Sequence, residues 1–119
     1  MPTGPSETAA ALVLRHRRER EAHEHRAAEL RRCVAGEAAA LIEQGLAVRA
    51  WLIGSLAWGS FGERSDVDVV FEGLAPGAIG FAAAELAERL GARVDVLRLE
   101  DLPESFQARV LREGSPLVA

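Results

Sequence analysis

From Thr8 to Gln44 the chain runs through Ala, Arg, Glu and Leu without a single Pro, which predicts helix over about a third of its 119 residues. What remains is short, and the whole length suffices for one core but not for two. The second half of this segment is amphipathic: Leu30, Cys33, Val34, Ala38, Leu41 and Ile42 recur at three- and four-residue steps, and Gly45 suits a C-terminal stop. Gly36 weakens the middle and marks a place for division or close packing. The first half differs. Between Arg15 and Arg26 only Ala22 is apolar, so that stretch has no face to bury and is expected to be solvated or to meet a partner. His16, His23 and His25 fall nearby without metal-ligating geometry, since His23 and His25 point to different sides of a helix.

Beyond Gly45 the elements are short. Val48–Ile53 is a β-type run ending at Gly54, and the Gly/Ser-rich stretch from Ser55 to Ser65 allows only a loop or a short helix. Val67–Phe71 predicts a second strand, stopped by Gly73 and Pro76. Ile79, Ala83, Leu86 and Leu90 return to helical spacing, with Gly91 as a cap. Arg93–Leu99 is a third strand. Asp101-Leu102-Pro103-Glu104 has the pattern of an N-cap with Pro in the first turn, opening a last helix that runs to Glu113 and ends at Gly114. The order predicts an α/β (α+β) fold, a small mixed sheet flanked by helices with a long N-terminal helix. Residues 1–7, rich in Pro and Gly, are expected to be disordered, and residues 8–119 to form a single domain: 8–44 helical, 48–114 the core that carries the chemistry.

Apolar runs reach about five residues, far short of a membrane span, and Met1–Ser6 lacks the cationic start and apolar stretch of a signal peptide. Lone Cys33 excludes an internal disulfide and sits at core spacing. A cytoplasmic protein is expected. The net charge of −4 argues against direct nucleic-acid binding, although residues 15–32 hold seven Arg against four Glu. The chain has no Lys and no Tyr, so carboxylates, hydroxyls, Arg and backbone amides must do any chemistry.

The informative stretch is Gly54-Ser55, ten residues, then Asp66-Val67-Asp68. Alternation along a strand puts Asp66 and Asp68 on one face and Val67 and Val69 on the other. Asp95, between Val94 and Val96, repeats the arrangement and can bring a third carboxylate from a neighbouring strand. Such acids repel and favour a bound cation, and hard oxygens without His or Cys suit Mg²⁺ or Mn²⁺. Gly54 lets backbone approach a phosphate and Ser55 adds a donor. Trp51 and Trp58 are read as core or groove wall, with Trp58 a candidate to stack on a nucleobase.

This constellation resembles the polymerase-β-type nucleotidyltransferase superfamily in its minimal (MNT) branch, over roughly Val48 to Gly114. The resemblance implies that Asp66, Asp68 and Asp95 are the metal-binding and catalytic residues, with Asp95 helping to activate the acceptor. Gly54, Ser55, Arg64 and Ser65 are the nucleotide-binding candidates. Leu56, Ala57 and Trp58 stand where many members carry an Arg, and Arg64 is the candidate substitute. The resemblance further implies an antitoxin of a HEPN/MNT toxin–antitoxin pair, working by AMPylation. With Mg²⁺ and with ATP as substrate, it would transfer AMP to a hydroxyl of a helical HEPN toxin held in a hetero-oligomer. The alternatives are an antitoxin that neutralises a HEPN ribonuclease by binding alone, and a small-molecule nucleotidylyltransferase, for which the short chain leaves little acceptor pocket.

Overall fold

A computed structural model describes residues 8–58 and 66–117. The expectation of disorder over residues 1–7 lies outside them. Helix α1 spans Ala9–Glu43. It is followed by strand β1 (Arg49–Ile53), short helix α2 (Gly54–Trp58) and strand β2 (Val67–Glu72). Helix α3 (Ile79–Leu90), strand β3 (Val94–Arg98), helix α4 (Glu104–Glu113) and the two-residue strand β4 (Ser115–Pro116) complete the order. No described helix is long and apolar enough to cross a membrane.

The Thr8 hydroxyl opens α1 by accepting from the Ala11 amide at 3.1 Å. Gly45, at φ +81, closes it: the Leu46 and Gly45 amides return to the Leu41 and Ile42 carbonyls, both at 3.0 Å. Gly36 neither divides the helix nor permits a close approach, since a Cβ there would meet nothing within 4 Å. Burial begins only at Ala27; every described residue before it is exposed. The first half of α1 therefore projects from the domain as an arm and stretches the long dimension to 65 Å, against 30 and 22 Å across. Arg15–Glu19 and His25–Glu29 pairs line it at i,i+4 spacing.

The sheet has the order β3-β2-β1-β4. β1 is antiparallel to β2 and β4, while β2 and β3 are parallel and need the α3 crossover. One face carries Leu52, Val67, Val69, Phe71 and Val96 against Leu30, Val34, Ala38 and Leu41 of α1 and Ala82, Leu86 and Leu90 of α3. The other face carries Trp51, Ile53 and Val70 against Leu99 and Val110, with Leu102 and Phe106 packed alongside. Helix α4 thus covers only part of that second face. Arg49 and Glu72, paired by register at the far end, form a two-point ion pair at 2.6 and 3.0 Å.

Two local expectations change. Asp101 does not cap α4; it ends a 3₁₀ turn, Leu99–Asp101, and accepts from the Arg98 guanidinium at 2.7 Å. The helix starts instead from the Pro103 carbonyl, which accepts from the Phe106 and Gln107 amides at 2.9 Å. The core also runs past Gly114: β4 pairs with β1, and the Leu117 amide donates to the Ala50 carbonyl at 2.8 Å. Cys33 is half-buried, its thiol donating to the Arg89 carbonyl at 3.8 Å.

Because burial starts at Ala27, removing residues 1–26 should leave a cooperatively unfolding domain. The expected change in Tm is under about 5 °C, the scale of 1 kcal/mol in a domain of this size. Loss of a cooperative transition in calorimetry would show that the arm belongs to the core.

Candidate active site

The open part of the second sheet face is where the acids emerge. Val67 and Val69 are both 0% exposed on the α1–α3 side, which forces Asp66 and Asp68 to the opposite side. Asp68 lies in a row with Ile53 of β1 and Asp95 of β3. Val94 and Val96 pack towards the first core as Val67 and Val69 do, so Asp95 shares the face of Asp68. Asp66 stands one row away, just before β2, where the Val67 amide donates to the Arg93 carbonyl at 2.8 Å. The structure therefore brings Asp66, Asp68 and Asp95 together on one open face. Arg64 and Ser65 lie outside the described residues.

Gly54 is fixed by this arrangement. It follows the last residue of β1 at φ +74, which turns the chain off the sheet into α2, and a Cβ there would collide with the Asp68 Oδ2. The carboxyl of Asp68 thus lies directly against the Gly54 backbone, with half-buried Ser55 next in the chain. Helix α2 is anchored on three sides. Leu56 is fully buried, and its carbonyl accepts from the Arg31 guanidinium of α1 at 3.2 Å. The Trp58 indole donates to the Glu113 carbonyl at 3.0 Å, and the Arg109 guanidinium covers its ring at 4.6 Å. One face of Trp58 is therefore already stacked, which removes half of the surface that sequence reasoning offered to a nucleobase. Trp51 is buried core beneath α4.

The electrostatics are those of crowded negative charge. Burial, then Asp95, then Asp66 push the Asp68 carboxyl above its ordinary value. Asp66 is turned towards Arg93, with Nε and Oδ1 3.5 Å apart. Among the described residues no three His, Cys, Asp or Glu side chains are drawn together closely enough to hold an ion as they stand. The donor set nevertheless fits a hard divalent cation: three carboxylates share one face, and the one between the other two bears an unrelieved charge penalty. Arg93 was overlooked in the sequence, although its position two residues before Asp95 places it on the same strand face.

The raised value of Asp68 has a signed consequence. The folded state holds that proton more tightly than the unfolded chain, so the protonated form contributes stability that is lost as pH rises through the raised value. At pH 7 the cost of the charge stands in full. With divalent ions chelated, Asp68→Asn should melt above wild type at pH 7, and the gap should close as the pH falls below that window. A wild type more stable than the variant at pH 7 would mean that the carboxylate serves the fold.

Comparison with known proteins identifies the family and the fold. Residues 40–119 match the family model of the polymerase beta nucleotidyltransferase domain. The chain is similar to a solved structure described as a minimal nucleotidyltransferase, at 30% identity and TM-score 0.63, covering 71% of this chain and 90% of that one. It is similar in fold to a toxin–antitoxin crystal structure with AMP-PNP, at 23% identity and TM-score 0.60 over 70% and 71% of the two chains. A mutant of the MntA–HpeT toxin–antitoxin pair is similar in fold at 19% identity and TM-score 0.59, over 70% of each chain. No curated protein sequence matches.

Proposed function

This chain belongs to the polymerase beta family of nucleotidyltransferases, in its minimal branch, and from that premise we propose that it transfers AMP from ATP to a hydroxyl of a partner HEPN-type toxin and so acts as an antitoxin. The observation that carries the reading is the row Asp68–Asp95 with Asp66 on the same open face. Residues 8–119 act as one domain in this reading, with residues 48–114 catalytic and the arm of α1 available for assembly. That one structural relative is a toxin–antitoxin assembly with AMP-PNP, an ATP analogue, supports both the nucleotide and the kind of partner.

Asp66, Asp68 and Asp95 would hold Mg²⁺ or Mn²⁺, which when bound supplies neutralisation of the triphosphate and a lowered pKa for the acceptor hydroxyl. Gly54, pressed against Asp68, and Ser55 after it would offer backbone and hydroxyl to the phosphates. Asp95 is exposed on the edge strand β3, where an acceptor arriving from outside meets it first. The acceptor oxygen bonds to the α-phosphorus, the bond from that phosphorus to the bridging oxygen breaks, pyrophosphate leaves, and the hydroxyl proton passes to Asp95. Positioning and charge neutralisation supply most of the acceleration in such a transfer.

A binding-only antitoxin is the second reading, and the exposed arm of α1 favours it. One experiment separates the two. Lacking Tyr, whose phenol ionises beside a metal more easily than an aliphatic hydroxyl, the chain should label itself little when incubated with labelled ATP and Mg²⁺. Adding the HEPN protein encoded beside it should place one or more AMP units on that partner, and Asp66→Asn or Asp68→Asn should abolish the label. An unmodified partner that is fully silenced would refute transfer and establish binding alone.

A further inference from the structure

The register that aligns Asp68 with Asp95 also aligns Asp66 with Arg93. Position 93 is two residues before Asp95, and Asp66 is two before Asp68, so the four side chains make a two-by-two block on one face. Three corners are negative and one is positive. The backbone bond from the Val67 amide to the Arg93 carbonyl, 2.8 Å, pins the Arg93 row as firmly as the sheet itself.

Arg93 is held more loosely than Arg49, Arg98, Arg109 and Arg31. Arg49 is bonded to Glu72 at 2.6 Å, Arg98 to Asp101 at 2.7 Å and Arg109 to Glu113 at 2.8 Å. Arg31 is spent on the Leu56 carbonyl. Arg93 reaches Asp66 only at 3.5 Å, with 88% of its side chain exposed against 34% for Asp66. An exposed pair of this kind shifts an equilibrium by a factor of about five at most. It gives way readily to a divalent ion, which competes for the same carboxylate at double the charge. A released guanidinium at this corner still faces the acids, and its planar fork matches phosphate oxygens.

We infer that Arg93 is an exchangeable counter-ion: it neutralises Asp66 in the free protein, yields that carboxylate to the divalent ion, and then binds the β- and γ-phosphates of the nucleotide. The inference rests on the nucleotidyltransferase reading and adds to it a triphosphate-binding residue that the Gly-Ser and D-x-D motifs do not contain.

The test compares wild type, Arg93→Gln, Arg93→Lys and the double variant Asp66→Asn/Asp68→Asn. Mn²⁺ uptake is measured by electron paramagnetic resonance, followed by titration with AMP-PNP and with AMP at saturating Mn²⁺. Arg93→Gln should bind Mn²⁺ alone about two- to fivefold tighter than wild type, because a competitor for Asp66 is gone. It should bind AMP-PNP weaker by on the order of tenfold, with AMP unchanged, since AMP lacks the two outer phosphates. Arg93→Lys should recover part of the AMP-PNP affinity. If either the gain for Mn²⁺ or the loss for AMP-PNP is missing while the double Asp variant loses Mn²⁺, the exchange is wrong and the nucleotidyltransferase reading stands. If wild type takes up neither Mn²⁺ nor AMP-PNP, the reading itself fails and this inference falls with it.

Discussion

The alternation of Val and Asp at the start of β2 and β3 is the constraint on which the rest depends. Val67 and Val69 are sealed against α1 and α3, and Val94 and Val96 pack into the same cluster. Each fully buried Val contributes about 1.5–3 kcal/mol, whereas a slip of one residue would send every one of them to the open face and the acids into the core. Like charges are thus held side by side because the hydrophobic alternative is worse. Asp68 bears the cost, through burial and through its two acidic neighbours. A cation is the natural relief, and the architecture leaves the carboxylates open to one by stopping α4 short of them.

The same economy explains why α2 is so firmly tied. A five-residue helix has little stability of its own, yet its first residue must stay against the Asp68 carboxyl. Buried Leu56, the Arg31 bond from α1 and the Trp58 contacts with α4 hold it from three directions. The last of these makes α4 more than a lid over Trp51 and Val70: it fixes the far end of the turn that starts at Gly54. Helix α1 likewise divides its length between two tasks, with burial from Ala27 onward and an exposed arm before it.

Much of this was legible in the sequence because periodicity reports faces. The helix over Ile79–Leu90, the strand alternation at Asp66 and Asp68, and the split of the long helix into buried and solvated halves all follow from spacing. What escaped was set by tertiary pairing. Strand β4 is two residues long and contains Pro116, so it carries no alternation of its own and is held by its edge position beside β1. Asp101 has the pattern of a cap but lies three residues from Arg98, which claims its carboxylate. Gly36 reads as a weak point, yet it faces solvent in a helix secured by Val34 and Ala38 on either side. Arg93 was visible on the face of Asp95, but its position opposite Asp66 requires knowing that β3 lies parallel to β2.

That parallel pairing also gives the proposed reaction a direction. The sheet has two edges, the two-residue β4 beside β1 and the longer β3, and β3 is the edge beside the acids. On the acidic face α4 already covers the rows nearer Trp51 and Val70. An acceptor as large as a protein therefore has access from the β3 side, where Asp95 is exposed and Asp68 is not. The two carboxylates of the shared row thus differ in burial, which fits the separate roles proposed for them. Asp68, screened and crowded, suits a permanent ligand, whereas Asp95, wet and at the edge, suits a group that must exchange a proton with whatever docks beside it. Among the described residues α4 is the element that walls this face, and the open β3 edge accords with the protein acceptor proposed above.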